Sequence, residues 1–144
     1  MSNAQNVAND FVAAFNAHDE AKIQELTADN AIMEAPGDIR LDGGEASSAY
    51  AISWMRAFPD SKLNIHNTVA TGDWVVQEFS FEGTHTDTLP SPAGDIPATN
   101  RSLVGRAVQL VRVEGDKVAE TKLYFDQVQV LTQLGLMPEP AATS

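Results

Sequence analysis

The chain has 144 residues, of which 43% are hydrophobic, and nine basic against twenty acidic side chains give it a formal net charge of −11. A chain of this length makes one domain that buries about 68% of its unfolded surface, a core that needs no metal or disulfide staple. There is no cysteine, which excludes disulfides, thiolate nucleophiles and zinc–thiolate sites, and the acidic field repels phosphate backbones and anionic headgroups, so no nucleic acid and no membrane is expected as a partner.

The first ten residues, MSNAQNVAND, carry neither the basic patch nor the apolar stretch of a signal peptide. No apolar run reaches the ~20 residues of a membrane span, and the expected location is cytoplasmic. Ser2 with Gln5 forms a capping-box pattern. Val7, Ala8, Phe11, Ala14 and Phe15 then recur at three- and four-residue spacing, the stripe of a first helix. His18 falls in its last turn, and Asp19 caps a short second helix carrying Ile23 and Leu26. A short strand over Ala31 to Ala35 ends at the Pro36-Gly37 turn, with Ile39 to Leu41 as its partner. After Asp42-Gly43-Gly44 comes a third helix whose small or apolar positions include Ala46, Ala49, Tyr50, Ser53, Trp54 and Ala57, and Pro59 stops it.

The second half reads as strands: Ser61 to Thr71, Trp74 to Gly83, Ser102 to Glu114 and Lys117 to Phe125. Gly72-Asp73 and Gly115-Asp116 are tight hairpins between them. Asp126 opens a last short helix with Leu131 and Leu134, which Gly135 closes and Pro138 cannot continue. Helices first and hairpin-linked strands later imply an α+β fold with an antiparallel sheet. One domain over 1–136 and a C-terminal tail over 137–144 are expected, with no internal repeat.

Alternation separates the two faces of that sheet. Val75, Gln77, Phe79 and Phe81 share the odd face with Leu103, Gly105, Ala107 and Gln109, and with Thr121, Leu123 and Phe125. This face is mainly apolar and should meet the helices, and the small Gly105 and Ala107 leave room beneath them. The even face mixes charges with Trp74, Val76, Val104, Val108 and Leu110; with no further helix to cover it, it is the expected surface of a homodimer. The arm from Thr84 to Arg101, with Pro90, Pro92 and Pro97, is too long for an ordinary hairpin loop and reads as a lid or a clasp.

The helix–helix–strand–helix–sheet order resembles the nuclear transport factor 2-like superfamily, a cone-shaped α+β barrel whose curved sheet and helices enclose a pocket. Ala13-Ala14-Phe15-Asn16, Trp54 with Ala57-Phe58-Pro59, Gly83-Thr84-His85-Thr86 and the ending from Tyr124-Phe125-Asp126 to Gln133-Leu134-Gly135-Leu136 are similar to the SnoaL-like polyketide cyclases, or ester cyclases. That resemblance implies ring closure by an intramolecular aldol reaction with no cofactor and no metal. It also implies an acid/base aspartate on the last strand and an assisting histidine on the strand before. A gap-free match puts Leu123 and Gln109 at those two positions. Leucine transfers no proton, and glutamine only hydrogen-bonds.

By the same resemblance His85, at the end of the Trp74 to Gly83 strand near the pocket mouth, stands where a family histidine does, and Asp126 also matches. These two are therefore the candidates for acid/base catalysis; a turn histidine and a helix cap are the structural readings of the same two residues. Gln109, Gln77 and Thr121 are candidate orienting groups for a ligand carbonyl or hydroxyl, Gln109 first among them. Phe15, Trp54, Phe58, Phe79, Phe81 and Leu123 are expected as pocket walls. Tyr124 has the wrong parity for the pocket, and His66 should be exposed. Two readings follow: a cofactor-independent acid/base enzyme of cyclase, isomerase or lyase type acting on a small hydrophobic carbonyl compound, or a non-catalytic protein that binds such a ligand.

Overall fold

The computed structural model describes residues 2–137; Pro138 and all of the expected tail except Met137 lie outside the described residues. The helices are α1 (Asn3–Asn16), α2 (Glu20–Glu25), α3 (Gly44–Ala57) and α4 (Gln127–Gln133). The strands are β1 (Thr27–Ala35), β2 (Ile39–Asp42), β3 (Lys62–Thr71), β4 (Trp74–Thr84), β5 (Ser102–Glu114) and β6 (Lys117–Phe125). Side-chain caps open three of the helices: Ser2 accepts from the Gln5 N–H, Asp19 from Lys22 and Asp126 from Gln129. Each satisfies a backbone donor that the first turn cannot.

The strands form one six-stranded sheet in the order β2-β1-β6-β5-β4-β3. It is curved but unclosed, with β2 and β3 as its edges, so the expected barrel is an open wrap. The sheet is also mixed: β1 runs parallel to β6 while every other neighbouring pair is antiparallel. β1 starts four residues earlier than its apolar run suggests, because Thr27 already pairs with Val118 of β6.

Two side-chain amides stand in for missing strand neighbours. Asn16, at the end of α1, bonds both the N–H and the carbonyl of Leu63 on edge strand β3. Gln133 of α4 does the same to Val104, where β5 runs past the end of β6. Each amide supplies one donor and one acceptor, the pair a strand would have offered.

The helices pack on the odd face: α1 against β3, β4, β5 and β6, and α3 against β1 and β2. Ala4, Val7 and Ala8 of α1 meet Val75, Val111, Val113 and Val118 of the sheet in one cluster. Removing such side chains from water is worth about 25 cal/mol per Å² of apolar surface, which is what holds the short helices down. Among the described residues no element covers the even face, and Val104 and Tyr124 are each 56% exposed on it. No helix among the described residues is long and apolar enough to cross a membrane.

Candidate functional site

Between the odd face and the helices lies a cavity of ≈ 110 Å³. Phe11 and Phe15 from α1, Trp54 from α3, Phe79 and Phe81 from β4 and Phe125 from β6 line it. The room comes from register. Gly105 and Ala107 stand directly across from Phe81 and Phe79, so large rings on one strand face almost nothing on the next. A Cβ added at Gly105 would first meet Leu103, at 4.0 Å. Trp54 meets Phe81 and Phe125 edge-on, with ring centres 5.5 and 5.8 Å apart, the arrangement that the charge distribution of aromatic rings favours.

The polar lining is sparse. Gln109 donates from Nε2 to Oε1 of Gln77 at 2.9 Å, and Gln77 donates in turn to Oδ1 of Asn9 on α1 at 3.2 Å. Gln77 is fully buried and does not line the cavity. It holds Gln109 from behind, leaving the Gln109 carbonyl oxygen and its second N–H without a protein partner among the described residues. The direct Gln77–Gln109 bond needs no bridging water. Thr121 also lines the cavity, whereas the hydroxyls of two further lining residues are used internally: Thr27 donates to the Ile23 carbonyl at 2.7 Å and Ser47 to that of Ala31 at 3.3 Å.

Tyr50 of α3 is a lining residue that sequence reasoning counted only as part of a helix stripe. Burial pushes its phenol up to about 12, against a smaller opposing effect of Trp54, so the hydroxyl keeps its proton at neutral pH. Its spacing of four residues from Trp54 was the available signal: a phenol on a buried stripe needs a partner. Apart from Tyr50 and Arg106, the lining contains no ionisable side chain, and in particular no carboxylate or imidazole.

Of the expected site residues, Gln109, Thr121, Leu123, Trp54, Phe15, Phe79 and Phe81 line the cavity. Gln77, Phe58, His85 and Asp126 do not. Leu123 and Gln109 are direct cross-strand partners, so the two positions that the resemblance assigns to an aspartate and a histidine sit side by side on the cavity wall. His85 points inward, as parity requires, but lies beyond the last turn of α3. The Phe58 ring stacks on it with centres 5.1 Å apart and meets Phe81 edge-on at the same separation. The histidine is therefore fully buried outside the cavity, not at its mouth. Asp126 is exposed, and its carboxylate accepts from the Gln129 N–H at 3.1 Å as the cap of α4. Tyr124 and His66 are both exposed; His66 bonds Ser80 at 2.6 Å.

Fold and cavity together define an α+β protein whose curved sheet and helices enclose an apolar cavity. The profile of the SnoaL-like polyketide cyclases matches residues 5–134, and the chain belongs to that family. No curated protein sequence matches it. Among solved structures, a SnoaL-like protein from Jannaschia sp. CCS1 is similar over 94% of each chain, with a TM-score of 0.80 and 16% identity. IdmH from Streptomyces antibioticus is similar over 92% of this chain and 98% of its own, at 0.73 and 25%. An LEH-like epoxide hydrolase from M. tuberculosis is similar over 92% and 89%, at 0.71 and 17%. At these identities the first and third likenesses speak to fold alone.

Proposed function

We propose that the protein captures a neutral, hydrophobic, carbonyl-bearing compound of polyketide type, orienting its carbonyl by hydrogen bonds from Tyr50 and Gln109. One observation carries this reading: the cavity wall is aromatic and holds hydrogen-bonding groups but no carboxylate or imidazole. Its one charged lining residue, Arg106, is exposed and of the opposite parity on β5, so the wall suits a neutral ligand, since an anion would lose its hydration for little return. Non-catalytic binding is the reading this favours. Cofactor-independent turnover of cyclase, isomerase or lyase type is the second, supported by the protonated Tyr50 phenol, which can polarise a carbonyl. In that case a substrate group or solvent takes the proton, because His85 and Asp126 stand outside the cavity.

The test is binding of 1-tetralone against tetralin, which lacks the carbonyl. The ketone is expected to bind more tightly to the native protein, and Tyr50→Phe and Gln109→Leu should each weaken it by about 1 kcal/mol, roughly fivefold, while leaving tetralin unchanged. Equal binding of the two compounds, or indifference to both substitutions, would sink the reading.

The uncovered even face, with Val104 exposed and Val76, Val108 and Leu110 half-buried, is in this reading the contact between two copies. Light scattering should report a dimer that Val108→Asp converts to a monomer; a native monomer would remove the proposal.

A further inference from the structure

The arm between β4 and β5 is tied at its base through one residue. The His85 backbone N–H donates to the Arg101 carbonyl at 2.9 Å, and its carbonyl accepts from the Asn100 N–H at 2.8 Å. Its ring does more. Nδ1 accepts from the Thr99 N–H at 3.3 Å and lies 3.0 Å from the Thr99 hydroxyl. A backbone N–H can only donate, so Nδ1 carries no proton and the neutral ring has its hydrogen on Nε2. Nε2 is buried with no hydrogen-bond partner among the described residues. The ring is sandwiched against Phe58, itself fully buried.

Within the arm, Leu89 and Ile96 pair as an antiparallel bridge, and Leu89 is 4% exposed. Both pack into the cluster that contains Phe58, Leu103, Val130 and Leu134. Leu103 and Val130 also line the cavity, so the closed arm backs part of its wall.

We infer that the arm over residues 86–100 is a flap latched by neutral His85 and released when that histidine takes up a proton. Protonation would set an Nδ1–H against the Thr99 N–H, donor against donor, so that this amide loses its acceptor even where the Thr99 hydroxyl takes up the new proton. It would also put a charge on a fully buried ring. Either consequence weakens the base of the arm, which the His85 backbone bonds to Arg101 and Asn100 alone would then hold. Burial accordingly holds the His85 pKa below its ordinary value, partly offset by the backbone and carboxylate of Asp87. Asp87 is the charged group acting on the ring; α3 contributes Phe58 to its surroundings and the returning limb Thr99, neither of which titrates. With the closed-state pKa depressed, the open arm binds the proton more readily. The latch is at full strength above about pH 6.5, the ordinary histidine value, and weakens as pH falls below it toward the closed-state value. Asp60, whose carboxylate accepts from the Thr84 N–H at 2.7 Å and is held below the usual range by that bond, keeps its charge across this interval and does not contribute.

The test is hydrogen exchange of the native protein from pH 8 to pH 5, corrected for intrinsic rates, and it does not depend on what the cavity binds. The amides of Leu89, Ile96, Thr99 and Asn100 are expected to gain about tenfold in opening for each unit below pH 6.5, while those of β5 and β6 stay constant. His85→Phe should open more at pH 8 and lose the pH dependence. Should that variant not fold, the imidazole nitrogen shifts of the native protein decide: a proton on Nε2 at pH 8, with protonation tracking Thr99 exchange, is expected. A flat exchange profile, or a proton on Nδ1 at pH 8, would overturn the inference.

Discussion

Phe58→Ala will destabilise the protein by about 3–5 kcal/mol, the range for emptying a fully buried aromatic site. Phe58 is 0% exposed and touches three other rings: Trp54 stacked at 5.7 Å, Phe81 edge-on at 5.1 Å and His85 stacked at 5.1 Å. Collapse around the gap is restricted, because the ring stands between strand β4, the end of α3 and the base of the arm. A urea titration monitored by far-ultraviolet circular dichroism measures the loss, and the thermal midpoint should fall by roughly 10 °C. A change under about 1 kcal/mol would mean that the neighbouring rings close over the space, and that Phe58 does not separate His85 from the cavity.

Gly105→Leu is expected to abolish ligand capture while leaving the fold intact. The new side chain starts in open space, with its Cβ 4.0 Å from the nearest atom, and extends into a cavity of ≈ 110 Å³. Glycine within a strand offers nothing to pack, so the substitution adds apolar contact and should not lower stability. Binding of 1-tetralone should weaken by at least about a hundredfold, since a ligand would have to displace a packed side chain. Calorimetric titration of the folded variant reads this directly. Unchanged affinity in a protein of native stability would place the ligand elsewhere.

The pH behaviour of the arm and the binding of a ketone are separate questions with separate readouts. Neutral amides and a phenol raised to about 12 make the cavity itself insensitive to pH between 5 and 8. Any pH dependence of ligand retention in that interval is therefore expected to follow the exchange of the arm amides.

Much of this was legible in the residues. The ranges of β5 and β6 agree with their alternating patterns to the residue, because side-chain alternation and the turn at Gly115, with φ of 58°, act over a few positions. The caps at Ser2, Asp19 and Asp126 were readable for the same reason, as was the empty space opposite Gly105 and Ala107 once parity put them on the face of Phe79 and Phe81. Gln109 was recognisable as a polar residue on an apolar face.

Other features depend on segments far apart in the chain. The parallel pairing of β1 with β6 joins residues about ninety positions apart, and no local pattern encodes it. Gly44 read only as the lead into α3, yet a Cβ there would lie 2.3 Å from the Ala28 carbonyl oxygen; only the approach of β1 to the start of α3 makes glycine necessary. His85 matched a family histidine at the pocket mouth, and it is the position of Phe58 that shuts it out. Tyr50 had the spacing of a core residue, and it is the hollow over the sheet that puts it on the cavity wall. The sequence by itself determined which segments are helix or strand and which way their side chains face, because those properties follow from neighbours a few bonds away. Which polar groups share a cavity was left to the tertiary structure, because that is set by how distant segments pack against one another.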